Sequence, residues 1–264
     1  MVLSSLFSMF LSGAGVWTRM RRASRSIVDA LVPPQCPVSG EPVGEPALLS
    51  GPGWQQLGFI EAPFCPGCAV PFAVDHGPGV RCGRCVGAAS ALSQTRAALI
   101  YDDISVPLVV AFKHGDRTDY APLLARLMVR AGDGLFRPGA VLMPVPLHVR
   151  RLRARRYNQA ALLSQHVAAA TGLAVDVESL IRQRHTPPQK DLTPDARKRN
   201  VAGAFAIRPA RADAIKGQHV ILVDDVFTTG STLTACASRL RRAGAARVDA
   251  LVLARVVKGG AQAI

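Results

Sequence analysis

The sequence is short of acidic and aromatic residues. Of its 264 residues, 32 are Lys or Arg and only 18 are Asp or Glu, which gives a formal net charge of +14. Aromatic residues make up 5% of the chain, so few side chains are available to stack on nucleic-acid bases. Such a chain is expected to contact polyanions mainly through their phosphates.

Long apolar runs are also absent. No apolar segment reaches the roughly 18 residues that a membrane-spanning helix needs, so we expect no stable membrane insertion and a cytoplasmic location. Near the N-terminus, an apolar stretch precedes its positive charges (MVLSSLFSMFLSGAGVWTRMRR), which is the reverse of a secretory signal. We expect residues 1–26 to be a poorly ordered extension, with a membrane-surface helix as the alternative.

The six cysteines do not have the distribution of a secreted disulfide framework. Four of them form two Cys-x-x-Cys pairs with thirteen residues between the pairs: Cys65, Cys68, Cys82 and Cys85. Two such pairs can close a tetrahedral zinc site with no open position for water, and a dithiol redox pair is the alternative. A structural zinc would stabilise a segment of about 50 residues that has little apolar core. Cys236 has helical spacing with Leu233 and Leu240 and is expected to be a buried thiol.

Past residue 90, strand and helix patterns alternate. Strands are predicted at residues 97–101, 140–146, 220–225 and 248–256, and helices at 120–132, 158–172 and 231–244. Apolar strands separated by helices predict an α/β fold with a parallel sheet flanked by helices. In such folds the ligand binds at the carboxyl ends of the strands. No internal repeat is evident.

One strand ends in two carboxylates and leads into small hydroxylated residues, in VILVDDVFTTGST (220–232). The amides of this hydroxyl loop can converge on an anion at the start of the next helix; the residues are Thr228, Thr229, Gly230, Ser231 and Thr232. Asp224 and Asp225 would repel that anion, so we expect them to face vicinal hydroxyls or a metal-bound water. A phosphate beside a diol describes a ribose 5-phosphate. The alternative is an acidic strand end before an ordinary capped helix.

Two other nucleotide-binding signatures are not supported by the rest of the sequence. A strand ending in two Asp residues also occurs in nucleoside triphosphatases, but the chain has no G-x-x-x-x-G-K-[ST] loop. The stretch GPGWQQLG (51–58) is close to a dinucleotide fingerprint, yet it follows no predicted strand.

Two segments concentrate the positive charge. Residues 148–156 carry five Arg, and residues 182–199 carry six Lys or Arg. Segments of this kind attract nucleic acid or a small polyphosphate. A solvated cationic face is the alternative.

Four motifs occur in a characteristic order: AFKHGDR (111–117), VPLHVRRLRARRYNQA (145–160), TPPQKDLTPDARKRNVAGAF (186–205), and VILVDDVFTTGST followed by ALVLARV (250–256). Together they resemble the ComF family of phosphoribosyltransferase-like proteins over roughly residues 27–257. The resemblance implies a double-zinc-ribbon-like domain at 27–90, a type I phosphoribosyltransferase-like domain at 91–258 and a tail at 259–264.

The resemblance also implies a ligand, 5-phosphoribosyl 1-diphosphate, and a phosphoribosyltransferase whose acceptor no motif specifies. Asp224 and Asp225 would hold the ribose 2 and 3 hydroxyls, and the hydroxyl loop would cradle the 5-phosphate. Magnesium would bridge the diphosphate and the ribose hydroxyls. The residues implied to meet the diphosphate, or to close over it in a flexible hood (185–200), are Arg150, Arg151, Arg153, Gln189, Lys190 and Arg197.

The biological role implied by the family is DNA uptake in natural transformation, with a competence helicase as a partner. The alternative is a non-catalytic module that senses the donor and binds single-stranded DNA or a protein. The intact carboxylates and hydroxyl loop favour the enzyme. The surplus of arginine favours the binding module.

The chain departs from the family pattern at two places. Upstream of the two Cys-x-x-Cys pairs, where further pairs are typical of the family, it has Cys36, Ser39, Ser50 and Gly53. We therefore expect one retained zinc site, not two. The second departure is Arg156, which stands where a glycine is frequent.

Overall fold

The computed structural model describes residues 33–87, 90–114, 117–184, 186 and 194–257. The chain divides into two compact units, Met1–Trp54 and Gln55–Ile264. This division lies inside the segment expected to form the zinc ribbon, so the domain boundary near residue 90 stays a prediction. The extension at 1–26 and the tail at 259–264 lie outside the described residues.

The second unit is built on a five-stranded parallel sheet of order β1-β7-β6-β2-β3. Its strands are β1 (Thr95–Ile100), β2 (Val141–Pro144), β3 (Ala174–Val175), β6 (His219–Phe227) and β7 (Arg247–Arg255). A separate antiparallel pair is formed by β4 (Leu180–Arg182) and β5 (Phe205–Ile207). Most residues of the neighbouring strands β6 and β7 are buried, which accounts for their continuous apolar character.

Helices flank and connect these strands. In chain order they are α1 (Gly51–Gln56), α2 (Gly83–Val86), α3 (Ser105–His114), α4 (Ala121–Ala131), α5 (Val149–Arg155), α6 (Gln159–Thr171), α7 (Pro194–Val201) and α8 (Ser231–Arg242). Short 3-10 turns lie at Thr118–Tyr120, Pro209–Arg211 and Asp213–Ile215. None of the helices in the described ranges is long and apolar enough to cross a membrane.

The predicted parallel α/β architecture is confirmed. All four predicted strands and all three predicted helices are present with small shifts at their ends. The sequence did not reveal α3, the two-residue edge strand β3 or the β4–β5 pair. A two-residue strand has no periodicity to detect, and α3 carries three valines and a proline within ten residues, which weaken a helical pattern.

Parallel register determines where the site lies. Val223 of β6 pairs with Pro144 of β2 on one side and with Leu251 of β7 on the other. The segments that follow β2 and β6 therefore leave the same edge of the sheet. These segments contain α5 and the hydroxyl loop, respectively, so their basic and hydroxylated residues are placed at one end of the fold.

Candidate functional site

The hydroxyl loop begins where β6 ends. Asp224 and Asp225 lie within β6, which continues to Phe227, two residues further than the sequence predicts. Gly230 then adopts a left-handed conformation (φ +80°), and a Cβ at this position would lie 2.4 Å from the Phe227 Cζ. Only glycine satisfies both the torsion angle and the close approach. The turn therefore depends on Gly230.

The start of α8 faces the carboxylates. Gly230 is the N-cap and has no side chain to satisfy the first amides of the helix, so this end of α8 favours an anion. Thr229 Oγ1 and Ser231 Oγ are hydrogen-bonded at 2.7 Å. A small depression is lined by Asp224 together with Thr228, Gly230, Ser231 and Thr232. The structure thus brings Asp224 together with most of the hydroxyl loop.

Asp225 has a different partner. Its Oδ2 lies 2.7 Å from Lys113 Nζ, and both side chains are mostly buried. The Asp225 amide donates to Asp224 Oδ1 at 3.0 Å. Burial raises the pKa of Asp224 to about 7, and the Asp225 carboxylate adds to the rise while Lys113 opposes it. Asp224 therefore keeps its proton up to near-neutral pH, and a bound cation would favour its ionised form.

Lys113 is a site residue that sequence reasoning missed, although the AFKHGDR motif contains it. Three side chains at the start of α6 donate hydrogen bonds to the backbone at Lys113 and in neighbouring segments. Tyr157 donates to the Phe112 carbonyl at 2.5 Å, Gln159 to the Lys113 carbonyl at 3.2 Å, and Asn158 to the Val145 carbonyl at 3.1 Å. The Tyr-Asn-Gln triplet thus fixes the end of α3 against the segment after β2.

Arg156 precedes this triplet and ends α5 in the left-handed region, with φ +64°. Side chains are disfavoured there by about 1 kcal/mol relative to glycine. The backbone conformation accounts for the preference for glycine at this position in the family pattern. What the Arg156 side chain adds is not explained by the structure.

The basic residues expected to meet a diphosphate divide into two groups. Arg150 and Arg153 are exposed on α5, while Arg151 donates to the Thr186 carbonyl at 3.0 Å. Gln189 and Lys190 lie outside the described residues. Arg197 lies in α7, but its side chain is outside the part that the structure describes. Of the residues predicted to meet the diphosphate or to form the hood, Arg151 is the one with a described hydrogen bond to the hood segment, at Thr186.

Arg182 is a second site residue that the sequence did not single out. Its guanidinium donates to Thr186 Oγ1 and lies 5.3 Å over the Phe205 ring. Burial lowers the pKa of Arg182, as does the neighbouring Arg151, whereas Asp224 opposes this shift. Its buried Nε has no hydrogen-bond partner among the described residues. Arg182 is thus an incompletely satisfied cation that interacts electrostatically with both Asp224 and Arg151.

The four paired cysteines form one cluster, which we call the cysteine cluster. The Sγ atoms of Cys65, Cys68, Cys82 and Cys85 all lie within 4.8 Å of one another. Cys68 and Cys82 are 3.6 Å apart, close to the separation of about 3.8 Å that tetrahedral zinc–sulfur bonds impose. A hydrogen bond from Cys65 lowers the pKa of the Cys68 thiol to about 4. These residues fit a structural zinc, which would tie together the turn at 64–71 and the segment before α2.

A similar backbone precedes the cluster, at the upstream positions where the family resemblance implies a further pair of knuckles, although the residues themselves show no repeat. Gln35 pairs with Pro42 as Phe64 pairs with Pro71, and in both turns a cysteine carbonyl accepts from the amide four residues later, at 2.9 and 2.8 Å. We call these turns, at 35–42 and 64–71, the first and second knuckles. In the first repeat Trp54 N donates to Ser50 O, as Val86 N donates to Cys82 O in the second.

The first repeat lacks the ligands for a metal. The positions that match the cysteine cluster are Cys36, Ser39, Ser50 and Gly53. Ser39 Oγ and Ser50 Oγ are hydrogen-bonded at 2.8 Å, and the Ser50 hydroxyl accepts from the Gly53 amide at 3.0 Å. One thiol, two hydroxyls and a glycine do not match the cysteine, histidine and carboxylate ligands of zinc. Zinc therefore does not fit the first repeat.

Comparison with known proteins agrees with this organisation. The model of the double zinc ribbon domain matches residues 27–86, and that of the phosphoribosyl transferase domain matches residues 160–262. The chain is 36% identical over 200 residues to DNA utilization protein YhgH of Salmonella typhimurium, covering 74% of this chain and 85% of that protein. It is 30% identical over 201 residues to Competence protein F of Haemophilus influenzae, covering 73% and 85%.

A glutamine phosphoribosylpyrophosphate amidotransferase from B. subtilis is among the similar solved structures, with a TM-score of 0.36 and 17% identity over 54% of this chain and 30% of that one. The relatives above cover most of this chain and most of their own length. The four sequence motifs, the zinc ribbon and the phosphoribosyltransferase-type domain of this chain support the same family assignment. The chain therefore belongs to the ComF family of phosphoribosyltransferase-like proteins.

Proposed function

We propose that the protein binds 5-phosphoribosyl 1-diphosphate at the carboxyl end of β6 and transfers its phosphoribosyl group. One observation carries this proposal: Asp224 shares a depression with the hydroxyl loop at the start of α8. Hydroxyls and helix amides suit a phosphate, while carboxylates suit the hydroxyls of a ribose. A ribose 5-phosphate presents both groups.

Each part of the donor has a matching group. The hydroxyl loop would hold the 5-phosphate, and Asp224 and Asp225 would accept hydrogen bonds from the ribose hydroxyls. Lys113 Nζ lies 2.7 Å from Asp225 and supplies its counter-charge. The two carboxylates also offer the oxygen ligands that magnesium prefers, and magnesium neutralises charge on the departing diphosphate when it is bound.

The diphosphate would lie toward the basic segments. Arg151 and Arg182 converge on Thr186, with Arg150 and Arg153 on the exposed side of α5. Gln189, Lys190 and Arg197 would belong to a hood that closes over the donor. Closure would exclude water, because the cationic sugar left by departure of diphosphate would otherwise be hydrolysed.

The proposal is tested by removing charge from the carboxylates. In Asp224→Asn/Asp225→Asn the shape is kept, and we expect binding of 5-phosphoribosyl 1-diphosphate with magnesium to weaken by about 2 kcal/mol or more, because charge-assisted hydrogen bonds are lost. Titration calorimetry measures the affinity. Asp213→Asn, on an exposed 3-10 turn, is the matched control. Equal affinity in the wild type and the double variant would contradict the proposal.

The family implies a cellular role but does not specify the acceptor. Mass spectrometry of the purified protein with labelled donor and candidate acceptors would identify a phosphoribosylated product. The name of the Haemophilus relative, Competence protein F, supports a role in competence. The cytoplasmic location, the role in DNA uptake and the competence helicase as a partner belong to the proposal and come from the family resemblance. A product formed by the wild type but not by the carboxylate variant would assign the activity to this site.

A second candidate function is binding of single-stranded DNA, with the donor site acting as a sensor. The observation that favours it is the exposure of Arg150 and Arg153. In the described part of the chain, neither is ion-paired with a carboxylate. A small diphosphate does not need all of the arginines on α5.

A further inference from the structure

A buried arginine connects the cysteine cluster with the hydroxyl loop. Arg255 is the last residue of β7 and is 3% exposed. Its Nε donates to the Cys68 carbonyl at 2.9 Å, and its Nη1 donates to the Thr228 carbonyl at 2.9 Å and the Phe227 carbonyl at 3.3 Å. A further bond joins Nη1 to the Val256 carbonyl. One side chain thus holds the second knuckle and the first residue of the hydroxyl loop.

The contact with the loop includes stacking. The Arg255 guanidinium lies 4.6 Å over the Phe227 ring. The same ring lies against Gly230, where an added Cβ would approach it to 2.4 Å. Movement of Arg255 would therefore shift Phe227, and with it the glycine turn that presents the hydroxyl loop.

The charge of Arg255 also depends on the cluster. Burying a guanidinium without a carboxylate partner is costly, and no carboxylate within the described ranges pairs with this one. The side-chain hydrogen bonds described for Arg255 go to backbone carbonyl oxygens, and its other described contact is the Phe227 ring. Four thiolates around one zinc ion carry net negative charge, so the zinc-bound cluster would supply a counter-charge next to the Cys68 carbonyl.

We propose that Arg255 is a positioning residue that couples zinc binding at the cysteine cluster to the conformation of the hydroxyl loop. Zinc holds the second knuckle, the knuckle orients Arg255, and Arg255 fixes the carbonyls of Phe227 and Thr228. The identity of the ligand at the hydroxyl loop rests on the proposed function, but the coupling between the cysteine cluster and the loop does not. The sequence places these residues far apart, in FCPGC, VFTTG and LARV.

The first test needs no ligand. Hydrogen exchange of the amides at 226–232 is measured in the zinc-loaded wild type, in the wild type treated with a zinc chelator, and in zinc-loaded Arg255→Met. We expect about tenfold faster exchange in the last two, because hydrogen bonds from a charged donor are lost. Amides at 219–222, at the start of β6, report on global unfolding and should not change. Arg242→Met, exposed at the end of α8, is the control variant.

Arg255→Lys separates charge from geometry. Lysine keeps the positive charge but cannot span two carbonyls as a guanidinium does, so its exchange should match that of Arg255→Met. If chelation unfolds the whole chain, the chelated sample is set aside, and the comparison of the zinc-loaded wild type with the zinc-loaded variants tests the proposal. Exchange at 226–232 that is unchanged in Arg255→Met, or a chelated wild type that unfolds nowhere and keeps a protected loop, overturns the proposal.

The second test uses the donor and relies on reciprocity between coupled sites. Saturating 5-phosphoribosyl 1-diphosphate should tighten zinc binding, measured at equilibrium against a competing chelator, by about tenfold in the wild type and leave the zinc affinity of Arg255→Met unchanged, because the variant has lost the coupling. An equal gain in zinc affinity in both would overturn the role of Arg255. If the zinc-loaded wild type does not bind the donor, the proposed function fails, while the exchange measurement still tests the coupling.

Discussion

At the scale of single residues, Asp224 and Asp225 place two carboxylates side by side in a largely buried strand. Lys113 neutralises Asp225 at 2.7 Å, but Asp224 has no such partner among the described residues and its pKa rises to about 7. A carboxyl group with a raised pKa is stabilising in the folded state only while it is protonated. The arrangement suits a site that recruits a diol and a cation, at the expense of stability at neutral pH.

The stability of the protein should therefore depend on Asp224 and on pH. The folded state holds a proton that the unfolded state releases near its ordinary pKa of about 3.9, so the wild type loses stability as pH rises toward about 7. Asp224→Asn has no such proton. We expect the variant to gain about 2 kcal/mol relative to the wild type between about pH 5.5 and about pH 8.

Urea unfolding at the two pH values measures this difference without ligand. Asp213→Asn, whose carboxylate is 93% exposed, should show no pH-dependent difference from the wild type. A gap between Asp224→Asn and the wild type that stays constant with pH would mean that Asp224 is ionised at its ordinary pKa.

At the scale of elements, the two knuckles share a backbone but not a chemistry. The second has four converging thiols, and the first is held by the hydrogen bond between Ser39 and Ser50 and by a buried Cys36. Once hydrogen bonds and packing maintain a turn, loss of metal ligands need not change its path. The double zinc ribbon has thus kept its repeated shape while one repeat lacks zinc ligands.

We expect one zinc per chain in the wild type and none in Cys82→Ser/Cys85→Ser. Ser39→Cys/Ser50→Cys/Gly53→Cys should bind a second zinc, because the first repeat has the same backbone. The Cβ added at Gly53 would lie 2.4 Å from the Cys36 Sγ, so Cys36 must rotate toward the new ligands. Elemental analysis gives the stoichiometry. Two zincs in the wild type, or one in the folded triple-cysteine variant, would contradict this interpretation.

At the scale of the whole molecule, the net charge of +14 attracts any polyanion, so binding of DNA by itself would not identify a DNA site. The positions of the arginines that contribute to binding distinguish a dedicated DNA site from nonspecific attraction by the net charge. Arg150 and Arg153 lie on α5, next to the predicted diphosphate site, whereas Arg137 and Arg242 are exposed elsewhere. A dedicated track would depend on the first pair much more than on the second.

If α5 belongs to a DNA track, the affinity for single-stranded DNA falls with salt by about 0.7 log units per log salt for each phosphate neutralised. Arg150→Ala/Arg153→Ala should then reduce the slope by about 1.4, and Arg137→Ala/Arg242→Ala, with the same change in charge, should leave it unchanged. Fluorescence titration at three salt concentrations measures the slopes. Equal slopes for the two pairs would restrict the α5 arginines to the diphosphate.

The sequence by itself determined the features that depend on local spacing. Two residues between Cys65 and Cys68 allow both thiols to reach one ion, apolar strands separated by helices indicate a covered parallel sheet, and Gly230 among hydroxylated residues predicts a tight turn at the start of a helix. The first and third features follow from residues close together in the chain, and the second follows from the repeated alternation of strand and helix patterns after residue 90. The carboxylates and the hydroxyl loop could be predicted for the same reason.

Only the tertiary structure decided which distant groups complete the site. Lys113 reaches Asp225, Arg182 interacts with both Arg151 and Asp224, and Arg255 joins the second knuckle to the hydroxyl loop, although no local pattern relates these positions. The family resemblance located the first knuckle, but only the structure showed that its turn has the backbone of the second knuckle without the ligand cysteines. Such pairings arise when strands distant in sequence become neighbours in a sheet, because burial and register, not spacing along the chain, then determine which charges meet.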